Sequence, residues 1–102
     1  ALGPPPVDQL PAIARLLASL SGEVAYWAAT LLGRVGETAA PHADALLAVA
    51  VDGRAAMAAR ERALWAIGKT GLGAADPSRL EPVANAAEHP RLARLAQRAL
   101  AR

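Results

Sequence analysis

Apolar residues recur at spacings of three and four along most of the chain, which is the period of an amphipathic α-helix. The pattern predicts six helices joined by short links. Four of them cover residues 7–20, 23–35, 41–51 and 56–70, the fifth begins at Pro77 and the sixth at Pro90. Ser21 and Asp76 are predicted N-cap residues, and Gly36 is suited to the left-handed conformation that ends a helix.

One apolar stripe of each helix is expected to face a common core. In chain order the predicted core positions are Leu10, Ile13, Leu16, Leu17 and Leu20; Val24, Ala28, Leu31, Leu32 and Val35; Leu46, Leu47, Ala50 and Val51; Ala59, Ala63, Ala66 and Ile67; Leu80, Val83, Ala84 and Ala87; Leu92, Ala96, Ala99 and Leu100.

The chain also contains an internal repeat. Residues 60–71 recur in degraded form at residues 25–36, and Gly33 and Gly36 precede Gly68 and Gly71 by the same 35 residues. A period of this length is typical of stacked helical units that bury their apolar faces against one another. The sequence therefore predicts three helical hairpins, at about residues 7–36, 39–71 and 76–102.

The aligned core residues of the second helix in each hairpin, together with the Gly-Arg-Val-Gly and Gly-Lys-Thr-Gly endings, resemble HEAT repeats of the short bacterial, phycobilisome-lyase-like type. The resemblance implies a right-handed α-solenoid, armadillo-like in architecture, that serves as a scaffold and binds protein partners on its concave face. The third repeat lacks the glycine pair, which suits a terminal repeat. The Asp–Arg ladder of eukaryotic HEAT repeats is incomplete, since only Asp52 and Arg60 could supply it.

Composition favours the same all-α fold. Of the 102 residues 54% are hydrophobic, mostly Ala and Leu, with no Phe and 3% aromatic residues, which suits close helix packing in one domain. Residues 1–6 are rich in proline and are predicted to form an extended linker. Neither a signal peptide nor a membrane-spanning stretch is visible, and Cys is absent, so we expect a cytoplasmic monomer or a part of a longer chain, with no membrane partner.

Charge is distributed unevenly along the chain. The residues before Arg54 include two Lys/Arg and five Asp/Glu, a net charge of −3, whereas the rest include nine and four, a net charge of +5. A basic half favours acidic partners, although such an excess on helix surfaces also serves solvation.

Side chains opposite the core of the second helices form three predicted columns on the concave face. The columns are Tyr26, Glu61 and Arg94; Thr30, Trp65 and Arg98; and Arg34, Lys69 and Arg102. Eight of these nine residues, all except Arg102, are the candidate partner-binding residues. The third column has a second interpretation, because cations in the last turn of a helix complement its macrodipole.

The two tryptophans have different predicted roles. Trp65 lies about 160° from the core direction, at about 100° per residue, so it is either exposed or covered by a neighbouring repeat, a partner or a ligand. Both a binding role and a packing role remain open for it. Trp27 lies nearer the flank, where contact between repeats is the expected role.

The sequence predicts no catalytic residue, metal site or cofactor. Acidic residues are scattered singly, His42 and His89 stand beside prolines at helix starts, and the serines occupy cap-like positions. The Gly-x-x-Gly endings lie at helix C-termini, where the helix dipole repels phosphate.

Four functions follow as hypotheses. The leading one is a non-enzymatic protein-interaction module or scaffold that presents Tyr26, Trp65 and Arg98 to a protein or peptide segment that is either acidic or able to accept an aromatic ring. The alternative is binding of a nucleic-acid backbone by the basic second half, which predicts a steep salt dependence of affinity. An enzyme related to HEAT-like lyases or glycosylases lacks its reactive groups here, and a purely structural stack of repeats predicts end-to-end association.

Overall fold

The computed structural model describes residues 5–101, and within that range the chain is helical and contains no strand. The predicted all-α class is therefore confirmed. Residues 1–4 of the predicted linker and Arg102 of the third column lie outside the described residues. In residues 5–101 no helix combines the length and the apolarity needed to cross a bilayer.

The described segment has five α-helices of at least seven residues, one four-residue α-helical turn and three 3₁₀ segments. In chain order they are η1 (Val7–Gln9), α1 (Leu10–Leu16), α2 (Gly22–Val35), η2 (Gly36–His42), α3 (Ala43–Val51), α4 (Met57–Thr70), η3 (Pro77–Leu80), α5 (Glu81–Ala84) and α6 (Pro90–Ala101).

Helices α2, α4 and α6 begin within one residue of the predicted positions, and α2 and α4 end where predicted. Ser21 caps α2, its hydroxyl accepting a hydrogen bond from the Val24 N–H at 3.3 Å. Gly36 and Gly71 follow α2 and α4 with φ of 76° and 79°, a conformation that favours glycine.

The other three predicted helices are shorter or partly 3₁₀. The first ends at Leu16. The third and fifth begin as the 3₁₀ segments η2 and η3. The prolines explain part of this difference, because Pro41 and Pro82 have no N–H to donate to a preceding turn.

Helix α4 is the central element. It packs against α2, α3 and α6, so that α2, α4 and α6 are successive neighbours in one layer. Helices α1 and α3 and segment η3 are successive neighbours in a second layer. Along the chain, α1 packs against α2, α3 against α4 and α5 against α6. The core lies between these layers.

Most predicted core positions are buried, including all four of α4. Leu16, Leu20, Val24 and Ala87 are exposed, and for these four positions the prediction was wrong. Leu20 lies beyond the end of α1, so helical spacing does not apply to it. Helix α2 must contact both α1 and α4, which turns its buried stripe to Ala25, Ala28, Ala29, Leu32 and Gly33.

Arg60 is the charged side chain that enters this core, where it is 8% exposed. Its Nε donates to the carbonyl oxygen of Ala50 at 3.1 Å, one of the last carbonyls of α3, which have no partner within the helix. Asp52 instead pairs with Arg54, at 3.7 Å from Oδ1 to Nε. The Asp52–Arg60 pair that the HEAT resemblance suggests is therefore not formed.

Replacing Arg60 by Met keeps an apolar stem of similar length but removes the donor. We expect Arg60→Met to lower the free energy of unfolding by about 1–3 kcal/mol, because the Ala50 carbonyl stays buried without its partner. Urea unfolding measures this effect. Arg54→Met is the matched control and should change stability by less than about 0.5 kcal/mol, since the Arg54 side chain is 96% exposed. Equal effects of the two substitutions would contradict the role given to Arg60.

The Asp76 carboxylate is expected to make the free energy of unfolding depend on pH. Its Oδ1 accepts hydrogen bonds from the backbone N–H and the hydroxyl of Ser78, at 3.0 and 2.8 Å, and these bonds lower the pKa of Asp76 below its ordinary 3.8. A group whose pKa is depressed on folding stabilises the native state above its unfolded pKa and loses that contribution as pH falls through the folded pKa. The destabilisation caused by Asp76→Ala should therefore be constant near neutral pH and shrink below pH 3.8.

Urea unfolding of both proteins over a pH series measures this change. Ser21→Ala is the control, because it removes a cap that does not titrate, and its cost should vary little with pH. A constant difference between wild type and Asp76→Ala down to the most acidic pH would contradict the prediction.

Candidate interaction surface on α2, α4 and α6

The centre of this surface is a stack of one arginine between two aromatic rings. The guanidinium carbon of Arg62 lies 4.6 Å from the centroid of Tyr26 and 4.7 Å from the centroid of Trp65. An Arg62 Nη also donates to the Tyr26 hydroxyl. Arg62 and Trp65 are three residues apart on α4 and therefore share one side of that helix, whereas Tyr26 comes from α2. The stack thus joins the two helices through cation–π contacts.

Trp65 is half-buried, because it lies against the backbone of α2 at Gly33. A Cβ placed on Gly33 would collide with Cζ3 of the indole. The missing side chain is what lets the ring approach α2. Of the alternatives open for Trp65, coverage by the neighbouring helical hairpin is the one observed. Trp65 also lines the two surface hollows described next.

Two surface hollows flank Trp65, and Leu95 of α6 lines both. The Tyr26 hollow, of about 350 Å³, is lined by Tyr26, Ala58, Glu61, Arg62, Trp65, Arg91 and Leu95. The Gly68 hollow, of about 420 Å³, is lined by Leu64, Trp65, Gly68, Lys69, Leu95, Arg98, Ala99 and Ala101. Trp65 therefore forms the wall between them.

The two hollows differ in charge. In the Tyr26 hollow the Glu61 carboxylate lies 3.5 Å from Nε of Arg91, so the acid is neutralised within the site. Among the described residues that line the Gly68 hollow none is acidic, while Lys69 and Arg98 are both cationic. The Nζ of Lys69 lies 5.9 Å from the Trp65 ring centroid. The Gly68 hollow is thus an apolar site with a positive rim.

The eight predicted binding residues divide into two groups. Tyr26, Glu61, Trp65, Lys69 and Arg98 line one or both hollows. The other three do not line them: the Thr30 hydroxyl donates to the Tyr26 carbonyl at 2.9 Å on its own helix, and Arg34 and Arg94 are exposed elsewhere on α2 and α6.

Sequence reasoning missed Arg62, Arg91 and Leu95. Arg62 had a local signal, since an arginine three residues before a tryptophan on a helix is placed to contact its ring. Arg91 and Leu95 had none, because they reach the site only through the packing of α6 on α4.

Trp27 differs from its predicted role between repeats. It is 56% exposed, and its ring meets that of Tyr26 edge-on with centroids 5.5 Å apart. Trp27 therefore adds an exposed aromatic ring next to Tyr26 at one end of the stack.

Other candidate chemistry is not concentrated anywhere in the described segment. Within residues 5–101 no three His, Asp or Glu side chains lie close enough together to hold a metal ion. A larger hollow, of about 760 Å³, lies by the α1–α2 turn, and its lining is mainly alanine with the paired Asp52 and Arg54. It offers few groups for specific recognition.

Comparison with protein-family models, curated proteins and solved structures finds no match to this chain. The likeness to HEAT repeats therefore depends on the quoted residues and on the repeat they form.

The packing of Trp65 predicts opposite effects for two equivalent glycines. Gly33→Ala should lower the free energy of unfolding by about 1–3 kcal/mol, because the new methyl group collides with the indole. Gly68→Ala should raise it by about 0.5–1 kcal/mol, because the new Cβ meets no atom of the described chain within 4 Å other than those of its own helix turn, and alanine favours the helix.

Urea unfolding of both variants checks these signs. A double-mutant cycle with Trp65→Val supplies the control, since the smaller side chain should remove most of the Gly33→Ala cost and leave Gly68→Ala unchanged. Destabilisation by both alanines, or a Gly33→Ala cost that persists beside Trp65→Val, would contradict the proposed packing.

Proposed function

We propose that this protein is a non-catalytic interaction module, a HEAT-like α-solenoid segment that binds a protein partner on the layer formed by α2, α4 and α6. The 35-residue repeat and the successive contacts of α2, α4 and α6 support the solenoid architecture. The concave face of such a solenoid corresponds to this layer in the proposal.

The observation that carries the proposal is the Tyr26–Arg62–Trp65 stack with a hollow on each side. Tyr, Trp and Arg are the residues that most often dominate the energy of protein interfaces. In the stack they are already held by one another, so binding requires little additional ordering of their side chains. The hollows beside them offer depth for side chains of a partner.

The distribution of arginine partners favours a protein over a nucleic acid. Five arginines of the described chain already have specific partners: Arg54, Arg60, Arg62, Arg79 and Arg91. Binding a phosphate backbone requires several cations that exchange counterions for phosphates. Most arginines of the basic second half are therefore already engaged in contacts within the protein. In this proposal the aromatic and apolar groups determine which partner is recognised.

Site-specific photo-crosslinking tests the proposal. A benzophenone amino acid placed at Arg94 or Arg98, both exposed on α6, should yield crosslinked products in a cell extract, whereas the same amino acid at Arg15 of α1 or Asp44 of α3, exposed on the other layer, should not. The products should be sensitive to protease and resistant to nuclease, and mass spectrometry should identify a partner protein in them.

Three results would contradict the proposal. Nuclease-sensitive products from α6 would indicate nucleic acid as the partner. Similar products from both layers would show that no face is specific. Crosslinks only between copies of this chain would indicate a structural stack of repeats.

A further inference from the structure

Helix α2, the first of the α2–α4–α6 layer, has an apolar side that faces away from α4. At about 100° per residue, Val24, Trp27 and Leu31 lie about 120–180° around the helix from Gly33, which contacts α4. Val24 is 37% exposed, Trp27 is 56% exposed and Leu31 is partly buried. These three residues form the α2 edge.

The internal repeat shows what covers the same side of the later helices. The residues equivalent to the α2 edge are Ala59, Arg62 and Ala66 in α4 and Leu92, Leu95 and Ala99 in α6. They lie on the side of each helix that meets the preceding helix of the layer, and the four other than Arg62 and Leu95 are no more than 3% exposed. Within residues 5–101 no helix of the layer precedes α2, so its edge remains open.

The outer side of α6 is the complementary surface at the other end of the layer. Helix α2 meets α4 through Tyr26, and α4 meets α6 through Glu61. The residue of α6 at the equivalent position is Arg94, which is exposed. Arg94 therefore belongs to the surface on which a further helix resembling α2 would pack if the layer continued.

The stack between α2 and α4 predicts one contact of Arg94. There the Tyr26 ring faces the guanidinium of Arg62, with 4.6 Å between the ring centroid and the guanidinium carbon. If a second copy continued the layer, the equivalent residues would be Arg94 of one copy and Trp27 of the next. The cation and the aromatic ring exchange sides, so a cation–π contact is formed again.

The ion pair between α4 and α6 predicts a second contact. Oε1 of Glu61 lies 3.5 Å from Nε of Arg91. The equivalent residues at a junction of two copies are Arg94 of one copy and Glu23 of the next, again with the charges exchanged. Arg94 and Glu23 are both exposed, and neither takes part in an ion pair within residues 5–101. The two ends of the layer are thus complementary in charge.

From these observations we infer that copies of this chain associate head to tail, with the α2 edge of one copy seated on the outer side of α6 of another. The arrangement also brings the acidic first half of one copy, with a net charge of −3, to the basic second half of another, with +5. A second copy is favoured over an unrelated partner because this chain itself supplies both halves of each contact. The inference goes beyond the proposed function, since it concerns the ends of the segment.

Sedimentation equilibrium of the purified protein tests the inference. The contact joins two different surfaces, so the mean mass of the wild type should keep rising with concentration beyond that of a dimer. Added salt should reduce the association, because exposed charges are screened. Glu23→Arg alone and Arg94→Glu alone should each weaken it by about ten-fold or more, since each places like charges at the contact.

An equimolar mixture of these two variants gives the sharper measurement. The two altered ends attract each other and the two unaltered ends form the wild-type contact, so association should return to within about three-fold of the wild type. A substitution that acted only through the fold would not be rescued in this way. Trp27→Ala removes the ring without changing charge and should weaken association by about three-fold or more.

Asp44→Arg and Arg79→Glu are the matched controls. They make the same changes of charge at the pair that joins α3 to η3, which lies away from both ends of the layer. Each should alter the association by less than about two-fold. Thermal unfolding verifies that every variant is folded.

Three results would overturn the inference. The first is a wild-type protein that stays monomeric at every concentration measured. The second is a mass that stops at a dimer and responds to Glu23→Arg but not to Arg94→Glu, which would indicate two copies joined through their α2 edges. The third is a mixture of the two variants that associates no better than either alone.

Failure here is distinguishable from failure of the proposed function. A monomeric wild type that still yields crosslinks to a partner protein from position 98 would reject only the head-to-tail contact. Crosslinks found only between copies, and lost in Arg94→Glu, would support the head-to-tail contact and remove the proposed function.

Discussion

The close contact between α2 and α4 is the constraint on which the rest of the structure depends. Helix α4 also packs on α3 and α6, so its position against α2 determines how these two helices lie relative to α2. The contact surfaces are built largely from alanine, and Gly33 removes even the methyl group where the Trp65 ring must lie. Small residues allow the helices to approach closely, and the indole fills the space that they leave. Arg62 then covers the ring and links it to Tyr26.

The candidate site is explained by the internal repeat and by one aligned position at which the repeats carry different residues. The same glycine occurs in α2 and α4, as Gly33 and Gly68. The next helix carries Trp65 in the first case and Arg98 at the equivalent position in the second. A packed contact and an open hollow therefore result from one backbone arrangement. Stacked repeats satisfy the fold through shared core positions, which leaves the remaining positions available for recognition.

The arginines of this chain serve different purposes that composition does not separate. Arg60 is buried and completes the hydrogen bonding at the end of α3. Arg62 joins two aromatic rings, and Arg91 neutralises Glu61. Arg98 remains at the edge of an apolar hollow. A net positive charge thus reflects several local requirements.

The sequence alone determined the helical class, the bounds of α2 and α4, and the glycines that follow them, because these depend on local periodicity, capping and backbone conformation. It also selected Tyr26, Trp65 and Arg98, since residues opposite a core stripe can be read from helical spacing. It misjudged Leu20 and Val24, because spacing within one helix does not reveal where the helix stops or which two neighbours it must contact. Only the tertiary structure placed Trp65 on Gly33 and brought Arg91 and Leu95 beside it. Those contacts join residues far apart in the chain, and their distances depend on how closely whole helices approach one another.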